Sequence, residues 1–183
     1  MSRRDDGYSA LTVDVVLFAA SKDHLEVLLV QRDSPPFERE WAFPGGFVEA
    51  GETLHEAARR ELDEETSIRE VHLEQLQAFG DPGRDPRGHV VTVAFWGLGP
   101  ANVFHPPEAD SDAARAQWWS VDQLPPLAFD HRDILTCALR RLRQRLSWVL
   151  GDTDIFPGNL TIDELRATGN MINKALSGET RNQ

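Results

Sequence analysis

Between Gly46 and Ile68 the chain reads GFVEAGETLHEAARRELDEETSI, glycines followed by a concentration of acidic residues. Thr53, with Glu56 three residues on, marks a helix start, because the two side chains can satisfy orphan amides of a first turn reciprocally. Good helix formers then run without Pro or Gly past Glu65. At about 100° per residue, Leu54, Ala57, Ala58, Glu61, Glu64 and Glu65 share one face roughly 120° wide. Glu56, Arg59, Arg60 and Asp63 lie opposite, with Glu56–Arg60 and Arg59–Asp63 as i,i+4 partners. An acidic run is ordinarily a solvated surface. Here the mixed charges take the solvated side, and Glu61, Glu64 and Glu65 prolong the apolar stripe that faces the rest of the protein. Carboxylates gathered there repel one another, and some hold a proton unless a cation is present. Hard oxygen donors in such a group suit Mg²⁺, with Mn²⁺ as a substitute.

The same stretch resembles the signature of the Nudix hydrolases, in which a Gly and a Glu precede Arg-Glu-aliphatic-x-Glu-Glu-x-Gly-aliphatic. Gly46, Glu52, Arg60, Glu61, Leu62, Glu64, Glu65 and Ile68 match in one register, and Ser67 stands where the family has Gly. A Gly there would suit a left-handed helix terminus, which Ser adopts at a cost of ~1 kcal/mol. The resemblance implies an α/β (α+β) fold, an α/β/α sandwich around a mixed β-sheet, and hydrolysis of a pyrophosphate linkage. It implies that Glu52, Glu61, Glu64 and Glu65, with the carbonyl of Gly45, hold Mg²⁺. Glu61, Glu64 and a loop acid, Asp112 ahead of Glu108 and Asp110, are the candidates for catalysis. Arg60, one step off the carboxylate face, would brace Glu52 or Glu65.

The elements that must position these groups can be read around them. Residues 8–20 alternate and then run apolar, reading as a strand that enters the core; Leu25 to Gln31 returns as its hairpin partner. Trp41 and Phe43 alternate on a short strand before Pro44-Gly45-Gly46, and tight glycines let backbone approach an ion closely. Phe37 and Trp41 are either core packing or a stack for a nucleobase. Many relatives have Gly where this chain has Arg39, which bears on the rim of the pocket. Val71 to Phe79 and His89 to Leu98 read as strands, and Gly99 to Ala116 as a Pro- and Asp-rich loop. Gln117 to Val121 is a strand carrying Trp118 and Trp119, similar to a Nudix element in which one tryptophan faces the core. Asp130 caps a helix with an apolar stripe from Ile134 to Leu146, and His131 beside it reads as structural.

Asp81 to Gly88, DPGRDPRG, is a rigid multi-turn loop with two arginines. Arg84 and Arg87 can fork onto phosphate oxygens, or bridge internally to Asp81 and Asp85. The loop is similar to that of the bacterial ADP-ribose pyrophosphatase branch, and Pro82 matches a further feature of ADP-ribose-cleaving members.

At 183 residues and a formal charge of −11, a nucleic-acid or anionic-membrane surface is disfavoured, and an anionic substrate needs local cations. The longest apolar run, Val15 to Ala20, is far too short for a bilayer. One cysteine, Cys137, excludes an internal disulfide framework, and the N-terminus carries no leader pattern, so a cytoplasmic protein is expected. Residues 8–148 read as the Nudix domain. Residues 149–183 read as an extension, opened by the capping pair Thr161 and Glu164, whose short helix docks on the domain or a partner subunit. ADP-ribose cleavage by a homodimer is the expected function. A house-cleaning nucleoside triphosphate hydrolase and an ADP-ribose-sensing regulator with little turnover are the alternatives, the latter disfavoured by a tail too small for a DNA-binding module.

Overall fold

The computed structural model describes residues 9–101, 103–104, 116–149 and 160–179. Its strands are β1 (Ala10–Ala20), β2 (Leu25–Gln31), β3 (Trp41–Ala42), β4 (Gly45–Phe47), β5 (Glu74–Phe79), β6 (Val90–Pro100) and β7 (Ala116–Ser120). The helices are α1 (Leu54–Thr66), α2 (His131–Val149) and α3 (Ile162–Glu179). β1 is the spine. One edge runs parallel to β6 along its whole length, from Ala10↔Val90 to Ala20↔Pro100. Its other edge is shared: Phe18 to Ala20 pair with β2, whereas Thr12 to Asp14 pair with β4. The sheet therefore parts along β1, and the change of partner is bridged where the Val15 amide donates to the Pro44 carbonyl at 2.8 Å. β3 and β7 continue from β2, and β5 closes the far edge on β6, making seven strands of mixed direction.

Strict alternation on β1 builds two cores. Val13, Val15 and Leu17 point to one face and pack with Leu28, Phe95 and, from α1, Ala57, Ala58 and Leu62. Val16, Phe18 and Ala20 point to the other and pack with Phe43, Trp96 and the α2 residues Ile134, Leu135, Ala138 and Leu142. The result is the expected α/β/α layering, with α1 on one side and α2 and α3 on the other. Trp118 and Trp119 divide in the same way, one against each core, so both serve packing. α3 is longer than a short docking helix. Its capping box is present, and Leu165 and Ile172 are buried in the α2-side core. No described helix is long and apolar enough to cross a membrane.

Several boundaries differ from the sequence reading. Gly45–Phe47 is a strand, because the glycines let β4 lie tightly on β1: a Cβ on Gly45 would stand 2.2 Å from the Val13 carbonyl oxygen. β5 begins at Glu74; Val71 and Leu73 are buried by packing under α1 without joining the ladder. Gly99 and Pro100 still belong to β6, since they pair with the full length of β1. The Asp130 carboxylate does not cap α2. Both oxygens accept from Arg84, at 2.8 and 2.6 Å, a charge-assisted pair stronger than a cap.

Two predictions follow from this scaffold. Ser67 is the C-cap of α1 at φ 59°, the left-handed region that favours glycine. Ser67→Gly is expected to stabilise the fold by up to about 1 kcal/mol, roughly 2–4 °C in melting temperature; a fall would place the helix end elsewhere. His131 is fully buried, and its Nδ1 accepts from the Phe43 amide at 3.0 Å. Burial pulls its pKa below the usual 6.5 despite the nearby Asp14 and Asp130. The unfolded chain therefore takes up this proton first, so stability from neutral His131 is complete above pH ~6.5 and declines as pH falls below that value. Denaturant titrations from pH 7.5 to 5 should show a smaller acid loss in His131→Gln than in the wild type. Equal slopes would mean that His131 is not held neutral.

Candidate active site

The N-cap and the C-cap of α1 set the register of its acids. Thr53 accepts from the Glu56 amide and Glu56 returns the bond to the Thr53 amide at 2.8 Å, while the Ser67 amide donates to the Asp63 carbonyl. Between the caps the buried stripe is Ala57, Ala58, Leu62 and Thr66. The glutamates lie along one edge of it, a correction to the single shared face. Glu65 is deepest and accepts from the Gly45 amide at 3.0 Å; Glu61 is half-buried; Glu64 is 61% exposed. Gly46 is needed here, since a Cβ on it would stand 2.2 Å from Glu61 Oε1.

Arg60 is not on the solvated side. Its Nε and Nη2 grip Glu52 at 3.1 and 2.8 Å, Nη1 reaches Glu61 at 2.8 Å and Glu64 at 3.3 Å, and Nη2 also donates to the Phe47 carbonyl at 3.0 Å. The expected Glu56–Arg60 pair is absent because Glu56 is engaged by the capping box, and Asp63 bonds Arg69 at 2.8 Å in place of Arg59. Of the two bracing options, Arg60 takes Glu52.

The electrostatics follow from that placement. Burial pushes the Glu65 carboxyl up to about 7, helped by the charges of Glu61 and Asp14 and opposed by the Gly45 amide. Burial also raises Glu61, against the pull of Arg60. Glu52 is held below the usual range by its bonds from Arg60 and the Glu49 amide. Among the described residues no three His, Cys, Asp or Glu side chains converge as a ready-made metal cage. The donors are nonetheless hard carboxylate oxygens: Glu61 shares Arg60 with Glu52 and Glu64, and buried Glu65 has the Gly45 amide as a donor. That chemistry fits a divalent cation with oxygen preference, shared with the guanidinium of Arg60.

These groups form one wall of a cleft of about 520 Å³, whose lining includes Asp14, Arg32, Gly45, Phe47, Glu61, Glu64, Glu65, Arg84, Arg87, Phe129 and His131. The opposite wall comes from the loop before β6. Arg87 lines it, bound through Nε and Nη2 to Asp85 at 3.0 and 2.6 Å. Arg84 lies at the floor, its side chain 5% exposed and paired with Asp130, with Asp14 at 4.0 Å. Burial acts to lower its pKa, but the bond to Asp130 outweighs this. Arg84 is thus a structural ion pair, not a free phosphate fork, and its partner is Asp130 instead of Asp81 or Asp85.

Other expected contact residues stand away from the cleft. Trp41 packs edge-on against Trp119 at 5.2 Å and joins the α2-side core. Phe37 lies behind Phe129 at 4.8 Å. Arg39 is exposed; its amide donates to the Arg32 carbonyl and its carbonyl accepts from Gln31 Nε2. Asp112, Glu108 and Asp110 lie outside the described residues. Sequence reasoning missed Asp14, Arg32, Phe47 and Phe129. Only Asp14 gave a signal, a charge inside an otherwise apolar strand.

The family model for the NUDIX domain matches residues 9–144. The "ADPR responsive transcriptional repressor NtrR" of Acinetobacter baylyi is 34% identical over 85% of this chain and 63% of its own length, so the chain spans under two thirds of that relative. An "ADP-ribose pyrophosphatase" of Methanocaldococcus jannaschii is 38% identical over 73% of this chain and 75% of its own. Among solved structures, the Nudix domain of Shewanella oneidensis NrtR complexed with ADP ribose superposes with a TM-score of 0.66 at 34% identity, covering 77% of this chain and 94% of that one. With the signature acids aligned along one edge of α1 and the family match running through β1 to α2, the chain belongs to the Nudix family.

Proposed function

We propose that the chain hydrolyses a nucleoside diphosphate linked to a second group, with ADP-ribose, cleaved to AMP and ribose 5-phosphate, as its substrate. The observation that carries this reading is the gathering of the signature acids Glu61, Glu64 and Glu65 with the glycines of β4 along one cleft. Two similar proteins whose names invoke ADP-ribose, one a pyrophosphatase, support the choice of substrate. The reading has a cytoplasmic homodimer working with Mg²⁺ or Mn²⁺. Glu61, Glu64 and Glu65, with Glu52 and the Gly45 carbonyl, are the residues that would hold the ion. Bound there, it would neutralise diphosphate charge and acidify water.

The chain's own groups do the rest. Gly45 lets β4 lie on β1, and Gly46 leaves room for Glu61 beside it. Arg60 fixes the aim of Glu52 and Glu61. A water attacks phosphorus in line, its proton passes to Glu64 or Asp112, and the bond to the bridging oxygen breaks, so that oxygen leaves with the other half as a phosphate monoester, giving AMP and ribose 5-phosphate. Glu64, the most exposed of the three helix acids, keeps its place beside solvent for that transfer.

A second reading is favoured by the repressor relative: the chain binds ADP-ribose and turns it over little. Steady-state assays with ADP-ribose and Mg²⁺, beside a triphosphate panel, separate the readings. Release of AMP supports the proposal; tight ADP-ribose binding without hydrolysis favours the sensor, and then DNA is the partner to assay. In the enzyme, Glu64→Gln is expected to lower kcat at least 10²-fold, the usual loss of a proton acceptor or ligand. Glu65→Gln should lower kcat likewise while raising the metal-free melting temperature, since it removes a buried, repelled charge and keeps an acceptor for the Gly45 amide. Near-wild-type turnover in both variants would remove these glutamates from the chemistry.

A further inference from the structure

Phe47 follows Gly46 on β4 and is 51% exposed, a large aromatic side chain left open on the cleft that the helix acids line. Gly46 faces α1, so by alternation Phe47 turns away from it, toward the arginine wall. There the Arg87 guanidinium carbon lies 5.6 Å from the Phe47 ring centre and 5.6 Å from that of Phe129. Arg32 lies 4.9 Å from the far ring. Along the cleft the order is therefore aromatic, cation, aromatic, cation. Phe37 packs edge-on against Phe129 at 4.8 Å, and Phe37, Arg39 and Phe129 all hold positive φ, at 61°, 69° and 54°.

What Arg87 can offer is limited by Asp85. Its Nε and Nη2 are bound to that buried carboxylate, which also accepts from the Arg87 amide at 2.8 Å. A guanidinium whose charge and forked edge are so engaged is a poor phosphate grip. It retains its planar face, and a cation over a ring fixes that ring in place. Phe47 is held from the other end as well, since its carbonyl accepts from Arg60, the same guanidinium that binds Glu52, Glu61 and Glu64. A ring with a cation behind it, on a backbone tied to the helix acids through Arg60, and open to the cleft suits one chemical class above others. Phosphate and sugar gain little from a π-face, whereas a nucleobase stacks on one.

We propose that Phe47, fixed from behind by Arg87, determines specificity by stacking on the nucleobase of the substrate. This deepens the hydrolase reading, on which its choice of ligand rests. It also replaces Phe37 and Trp41 as the base stack. AMP is the probe, titrated calorimetrically into wild type, Phe47→Ala and Phe47→Trp, with ribose 5-phosphate as the base-free comparison. Phe47→Ala should weaken AMP at least tenfold, and more than it weakens ribose 5-phosphate; Phe47→Trp should restore AMP binding. With ADP-ribose the alanine variant should show the loss mainly in KM. AMP affinity unchanged within twofold in Phe47→Ala, a tryptophan variant no better than the alanine one, or no AMP binding to the wild type would each overturn the proposal. The two readings fail separately. AMP binding that depends on Phe47 in a protein that cleaves no ADP-ribose removes hydrolysis and keeps the stack. Cleavage with an unchanged KM in Phe47→Ala removes the stack and keeps hydrolysis.

Discussion

One guanidinium organises the cleft. Arg60 clasps Glu52 from the loop before α1, touches Glu61 and Glu64 on its own helix, and holds the Phe47 carbonyl on β4. Three segments are thereby tied to one side chain. The arrangement leaves a deficit of positive charge. One arginine serves three carboxylates, whereas Glu65 accepts from the Gly45 amide. Burial then lifts the pKa of Glu65 to about 7, so the site stores unfavourable charge that a divalent cation would relieve. Structural stability and chemical readiness pull in opposite directions at this residue.

The sheet makes that tension tolerable. Because β1 pairs with β4 at one end and β2 at the other, the opening between the two partners lies at the acidic end of the sheet, and the two cores are kept intact. Behind the cleft, Arg84 joins Asp130 at the start of α2 and approaches Asp14 on β1, while His131 stacks on Phe43 at 4.9 Å. These buried polar contacts couple α2 to the strands that carry the glycines. Half-satisfied, such a network would be costly; the bidentate geometry of Arg84 and the single acceptor role of His131 Nδ1 keep its members paired.

Much of this was legible in the residues. The capping boxes at Thr53 and Thr161, the two-face alternation of β1 and the left-handed Ser67 depend on local rules and appear as expected. The layered fold followed from the signature, which is a single contiguous match. What was not legible depends on partners distant in sequence. Nothing near Arg84 says that its partner is Asp130, which lies on another element, so a basic loop looked like a phosphate site. Helical spacing pairs Arg60 with Glu56, and the resemblance points to Glu52 or Glu65; the long side chain reaches Glu52 across a loop. Trp41 and Phe37 were plausible stacking groups by composition; Trp119 and Phe129, which they pack against, became neighbours only when the sheet formed.

Burial of Glu61 and Glu65 on α1 leaves carboxylates that a divalent ion would relieve. Carbon-detected NMR titration of the Glu65 side-chain carboxyl, with and without Mg²⁺, tests it directly. The account predicts a midpoint near 7 in the absence of metal, moving well into the acid range when Mg²⁺ is added. A midpoint at the ordinary glutamate value near 4.3, indifferent to Mg²⁺, would contradict it.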